Sequence, residues 1–127
     1  MPDTPPAPPQ GLLLCDDLIF TSRITGTARA LGLTISPARS PEALLGLARQ
    51  HPPRCVLVDL HHPGLALPEL MRQLAQVCPA MPRVVGYGSH VDTAALKAAR
   101  AAGCDPVLPR SKFIEDLPTA LPGWLAG

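Results

Sequence analysis

Four short stretches of this chain carry side chains able to do chemistry: Asp16-Asp17, Asp59 with His61-His62, Gly88-Ser89-His90, and Pro109-Arg110. Each follows directly on an apolar run. Leu12-Leu13-Leu14-Cys15 ends at Asp16, Cys55-Val56-Leu57-Val58 at Asp59, Val84 to Tyr87 at Gly88, and Val107-Leu108 at Pro109. Brought together, three carboxylates would raise one another's pKa unless a cation joined them. Oxygen-only ligation by Asp16, Asp17 and Asp59 suits magnesium, which prefers octahedral oxygen and keeps several waters. An aspartyl carboxylate can also attack phosphorus to form an acyl phosphate, with magnesium and a basic group neutralising the equatorial oxygens. The bland alternative is that these aspartates cap the helices that follow them, and Asp17 is well placed for that. His61, His62 and His90 beside the same carboxylates form a mixed nitrogen and oxygen set, which would suit zinc, manganese or iron. Solvated loop histidines are the commoner outcome for His61 and His62, while His90 could hydrogen-bond the site or titrate near neutral pH.

The elements needed to position these groups are legible as apolar runs alternating with amphipathic stretches. Strands are predicted at 12–15, 33–35, 55–58, 83–87 and 107–108. The helical spacing of Ile24, Ala28 and Leu31 predicts a helix over 21–31, stopped by Gly32. Ser40-Pro41-Glu42 reads as a helix start with serine as N-cap and proline at the first helical position. Pro68-Glu69 opens a third helix, Asp92 caps a fourth that Gly103 closes, and 113–125 form a last, proline-interrupted helical segment.

Most of the strands are apolar throughout rather than alternating, which is the mark of a parallel sheet buried on both faces. Five such strands predict an α/β fold: a three-layer α/β/α sandwich around a flavodoxin-like parallel sheet of order 2-1-3-4-5. In that arrangement ligands bind beyond the carboxyl ends of the strands, where the order reverses between strands 1 and 3. Asp16, Asp17 and Asp59 would therefore converge, with Arg110 at the end of the fifth strand.

Composition narrows the classes. The 127 residues include 17 prolines and 10 glycines, a level that raises disorder, yet 46% of the chain is hydrophobic. A chain of roughly 130 residues can bury about two thirds of its unfolded surface, enough for one core. Eleven basic against ten acidic residues give +1, which argues against a nucleic-acid clamp. MPDTPPAPPQ lacks the basic start and apolar region of a signal peptide, and reads as a flexible proline-rich leader over 1–10 before a domain at 11–127. Asp16-Asp17 cuts the apolar run from Leu12 to Phe20, which excludes a membrane span there. Cys15, Cys55, Cys78 and Cys104 show no metal-binding spacing, so they read as buried thiols of a cytoplasmic protein.

The runs LLLCDDLIF and CVLVDLHHPG, with the block from VVGYGSHVD to AARAAGCDPVLPRSKF, resemble a bacterial response-regulator receiver domain of the chemotaxis-regulator type. The similarity covers about residues 11–125. It implies that Asp59 accepts a phosphoryl group from a histidine kinase or phosphotransfer protein. It implies further that Asp16 and Asp17 hold magnesium, together with Asp59 and the backbone carbonyl of His61. Pro63 matches the proline usual in that loop. No enzymatic activity is expected beyond phosphorylation and dephosphorylation of Asp59 itself.

The sequence departs from the pattern elsewhere. The threonine or serine that follows strand 4 in this family falls on Gly88, with Ser89 one position later. The lysine after strand 5 falls on Arg110, a longer, planar and forked cation, with Lys112 as a substitute. The aromatic switch residue of strand 5 falls on Val107. The resemblance therefore implies an atypical receiver: a stand-alone regulatory module acting by protein contact. Its output face would be helix 4, strand 5 and helix 5, about 92–125, with an exposed Trp124 and homodimerisation as further expectations. The alternatives are a pseudo-receiver that works as a phosphorylation-independent interaction or oligomerisation domain, and a small metal-dependent phosphatase or hydrolase. The last lacks any Gly-rich phosphate loop or nucleophile elbow.

Overall fold

The computed structural model describes residues 11–126; the proline-rich stretch expected to be a flexible leader lies outside them. Strands and helices alternate as β1 Gly11–Leu14, α1 Leu18–Ala30, β2 Ile35–Ala38, α2 Pro41–Gln50, β3 Cys55–Asp59, α3 Leu67–Val77, β4 Arg83–Gly88, α4 Thr93–Ala101, β5 Val107–Pro109 and α5 Arg110–Leu125. All neighbouring strands pair in parallel, in the order β2-β1-β3-β4-β5. This is the predicted flavodoxin-like, three-layer α/β/α arrangement.

The apolar runs explain it. Every residue of β1 and β3 is buried, because side chains on both faces of a central parallel strand meet helices. Leu12, Leu14, Val56, Val58 and Val84 pack with Leu44, Leu70, Leu74 and Leu96 beneath α2, α3 and α4. Leu13, Leu57, Val85 and Tyr87 pack on the opposite face with Ile24, Phe113, Leu117 and Leu121 of α1 and α5. Local signals set the helix ends. The Ser40 hydroxyl accepts from Ala43 N with Pro41 inside the first turn, and Asp92 accepts from Ala95 N. Gly32 and Gly103 follow α1 and α4 at φ 74° and 107°, a left-handed conformation that side chains with a Cβ resist.

Three elements differ from expectation, the first being helix α1, which begins at Leu18 rather than at 21 and ends at Ala30. The second strand runs over Ile35–Ala38 rather than 33–35, pairing Gly11 with Ile35 and Leu14 with Ala38. Pro37 weakens the strand signal, but β2 is an edge strand, where a missing N–H need not break a ladder. Helix α5 starts at Arg110 instead of 113 and continues through Pro118 and Pro122. Its buried Phe113, Leu117, Leu121 and Trp124 recur at helical spacing, and their burial outweighs the backbone bonds the prolines remove.

Trp124 corrects the expectation of an exposed ring, because it is only 9% exposed. It lies 5.9 Å from Phe113, which lies 4.5 Å from Tyr87, and Phe20 completes the set 5.1 Å from Tyr87. All four aromatic side chains of the sequence thus form one stack on the α1/α5 face. On α4 the sheet-facing residues are Leu96 and Ala99. The four cysteines are buried and unpaired, as read from their spacing. Among the described residues no helix is long and apolar enough to cross a membrane.

Candidate functional site at the carboxyl ends of β1, β3 and β4

Asp59 is the last residue of β3 and is 7% exposed. It is drawn to the sheet edge by the apolar run before it, and the backbone of the next loop closes on it. Its Oδ1 accepts a hydrogen bond of 2.9 Å from His61 N, which leaves Oδ2 uncommitted within the protein. Leu14 pairs with Val58, so the chain leaves β1 beside Asp59 and places Cys15, Asp16 and Asp17 at the point where the strand order reverses. Asp17 is the N-cap of α1, its Oδ1 accepting from Ile19 N at 2.9 Å and Phe20 N at 3.0 Å. Asp16 is exposed.

The histidines take structural positions. His62 is buried, which corrects its reading as a solvated loop residue. Its Nε2 lies 2.7 Å from the Arg39 carbonyl and so donates, while its Nδ1 accepts from Gly64 N at 3.0 Å. Both ring nitrogens are therefore committed, tying the β3–α3 loop to the segment before α2. His61 is exposed, and its Nε2 accepts from Ser89 N at 3.1 Å, bridging the loops after β3 and β4. With those lone pairs engaged, the imidazoles do not assemble a zinc or iron site with the carboxylates.

The residue that sequence reasoning missed is Tyr87. The register pairs Asp59 with Tyr87, and the two share the α1/α5 face of the sheet. Gly88, where the hydroxyl residue was expected, lies one position beyond and pairs with Pro109. A Cβ on Gly88 would sit 3.3 Å from His61 Nε2, so the glycine makes room for the His61–Ser89 bridge. The Tyr87 hydroxyl is buried without a conventional hydrogen-bond partner; beside it stands the Cys15 thiol, a weak partner that already donates to the Asp17 carbonyl at 3.6 Å. Burial pushes the phenol well above its usual range, with the Cys15 thiol and the Asp59 carboxylate adding to the rise and Arg110 opposing it. The odd-number parity of Val85 and Tyr87 with Leu57 and Asp59 is the sequence signal, once the register is fixed.

Arg110 opens α5, with its guanidinium 5.5 Å from the centre of the Phe20 ring. Lys112, the substitute cation, pairs instead with Asp116 at 3.2 Å, an exposed contact one turn along α5. Ser89 is half-buried, and its hydroxyl accepts from Val91 N at 3.3 Å within its own loop.

The structure thus unites Asp59, Tyr87 and the His61–Ser89 bridge, with Asp16 and Asp17 on the adjoining loop. Among the described residues it gathers no group of three or more His, Cys, Asp and Glu side chains that could hold a metal ion. Asp17 and Asp59 each use one carboxylate oxygen on backbone N–H groups. The donor chemistry fits a hard cation bound by one or two carboxylates and water, as magnesium commonly is, and not a closed protein cage.

Comparison with solved structures decides what the arrangement is. The chain superposes on the receiver domain of NtrX from Brucella abortus with a TM-score of 0.77 at 18% identity, covering 91% of this chain and 98% of that one. A candidate response regulator from Chloroflexus aurantiacus gives 0.78 at 22%, covering 94% and 99%. The fold is that of a response-regulator receiver domain. A third receiver-fold neighbour, a response regulator from Burkholderia pseudomallei, was solved with a phosphorylated aspartic acid, a calcium ion and citrate. It matches at 0.70 and 20% identity over 93% of this chain and 71% of its own. No family model and no curated protein matches the sequence. In this fold Tyr87 pairs with Asp59, and Val107 of β5 is buried.

Proposed function

We propose that this chain is an atypical receiver module of a two-component or phosphorelay system, with Asp59 as phosphoacceptor. The observation that carries the reading is Asp59 itself: a carboxylate at the sheet's reversal point, held through Oδ1 and with Oδ2 uncommitted. In the reaction, a bond forms between an Asp59 oxygen and phosphorus as the donor's bond to phosphorus breaks, the electron pair leaving with the donor group. The histidine kinase or phosphotransfer protein supplies that donor. Magnesium would offset charge on the transferring group, held by Asp59 and the Asp16-Asp17 pair. His61 N–H fixes the carboxylate and the His61–Ser89 bridge sets the facing loop, so their part is orientation. Arg110 is the cation nearest in the sequence pattern to the lysine of ordinary receivers. Output passes to a second protein through α4, β5 and α5. The unpaired buried thiols suit the reducing cytoplasm.

The test is acetyl phosphate with magnesium, read by intact mass. One phosphoryl group should add to the wild type and none to Asp59→Asn. Absence of an adduct, or an equal adduct on both proteins, refutes the assignment. A second reading, a pseudo-receiver that binds its partner regardless of phosphorylation, is favoured by Val107 at the aromatic switch position of ordinary receivers and by Tyr87, not a threonine or serine, beside Asp59. On that reading Asp59→Asn leaves partner affinity unchanged, whereas in a switch it removes the response. Hydrolysis of a generic phosphate ester with magnesium or manganese would instead point to the hydrolase alternative.

A further inference from the structure

Beside the Asp59 site, between α1, the β4–α4 loop and the start of α5, lies a groove of about 490 Å³. Phe20 and Ile114 line it together with Arg23, Arg110, His90, Ser89 and Ser111. No carboxylate lines it. Among the described residues neither guanidinium has a hydrogen bond or ion pair, although that of Arg110 lies over the Phe20 ring. The contrast with the larger cavity, about 680 Å³ at the opposite end of the sheet, is informative. There Arg54 donates to the Ala126 carbonyl and Arg83 to the Asp105 carbonyl, and the Asp105 carboxylate stands in the wall. Those cations brace the fold; Arg23 and Arg110 face a cavity with their donors free.

Two permanent, forked cations at one groove favour a dianion that can accept several N–H bonds. An aromatic and an aliphatic wall favour an apolar body attached to it. We propose that this groove binds a small organic phosphate monoester, its phosphate on Arg23, Arg110 and the serine hydroxyls, its apolar part against Phe20 and Ile114. Binding is non-covalent and needs no phosphorylation of Asp59; because it shares Arg110 and Ser89 with the Asp59 centre, the inference rests on the reading proposed above, and Asp59→Asn separates the two.

The experiment is an amide-resolved NMR titration of the full chain with phenyl phosphate, inorganic phosphate and benzoate. Phenyl phosphate should give saturable shifts confined to the amides around Arg23, Ser89-His90 and Arg110–Ile114. Inorganic phosphate should bind roughly tenfold or more weakly, because it buries no apolar surface. Benzoate should also be weaker, since it brings one charge to two guanidiniums. Arg23→Gln, at an exposed position of α1, should weaken phenyl phosphate roughly tenfold by removing charge-assisted bonds. Asp59→Asn should retain or tighten binding. The proposal is overturned by unsaturable shifts, by an unchanged affinity in Arg23→Gln, or by inorganic phosphate binding as tightly as phenyl phosphate. Loss of binding in Asp59→Asn also overturns it, because the anion would then sit at Asp59.

Discussion

Replacing Tyr87 by phenylalanine should make this domain more stable. Tyr87 is 0% exposed, and its hydroxyl has no hydrogen-bond partner. A buried polar group without a partner costs about 1–3 kcal/mol, and the adjacent Cys15 thiol offers at best a weak contact. Phenylalanine keeps the ring and hence the stack with Phe113 at 4.5 Å and Phe20 at 5.1 Å. The expected gain is about 1 kcal/mol, or roughly 4 °C in Tm for a domain near 100 residues. Urea and thermal unfolding followed by circular dichroism measure it directly. A loss of about 1 kcal/mol would refute the reasoning, because it would mean that the hydroxyl is bonded after all. A second arm asks why such a group is kept: with magnesium and beryllofluoride at Asp59, the wild type should gain more stability than Tyr87→Phe if the hydroxyl donates to the added group. Equal gains would remove Tyr87 from the site's chemistry.

Other expectations are as direct. Asp17→Asn should leave stability within about 0.5 kcal/mol, because asparagine caps helices as well as aspartate, while Asp17→Ala should cost about 1 kcal/mol. If Asp17 also holds magnesium, Asp17→Asn should still weaken the metal's spectral effect, which separates cap from ligand. Burial pushes the Cys55 thiol from 9.0 up to about 12, with Arg83 opposing the rise. The folded state therefore favours the neutral thiol. That stability is fully present below pH 9.0 and is lost as pH rises toward 12, at up to ~1.4 kcal/mol per pH unit. Urea midpoints at pH 8, 9 and 10 should fall accordingly, and Cys55→Ala should flatten the decline. None of the four buried thiols should react with a thiol reagent in the native protein, and all should react in urea. Gly103→Ala should cost about 1 kcal/mol or more, since φ 107° is a strained conformation for alanine; an unchanged urea midpoint would contradict this.

Features set by neighbours in the chain were legible from the outset. Ser40 and Asp92 cap helices by reaching N–H groups three residues on, so their role needs no knowledge of the fold. The apolar runs ending at Asp16, Asp59 and Gly88 announced buried parallel strands, and with them the edge where the acidic residues stand. His62 was not legible, because its partner is the Arg39 carbonyl, 23 residues away and adjacent only after the sheet forms. Trp124 was misjudged for a related reason. Two prolines disguise the helix that folds it back onto Phe113.

The sequence by itself determined the alternation of strands and helices, the parallel sheet and the sheet edge at which Asp59 and the Asp16-Asp17 loop stand. Side-chain period and apolar content are local properties that any compact state of this chain must satisfy. Only the tertiary structure decided which residue stands beside Asp59. A slip of one residue between β3 and β4 would exchange Tyr87 for Gly88 and reverse the faces of every side chain on the strand. The packing of Tyr87 against Phe20 and Phe113 is compatible with one register only, and that register puts a phenol at the site.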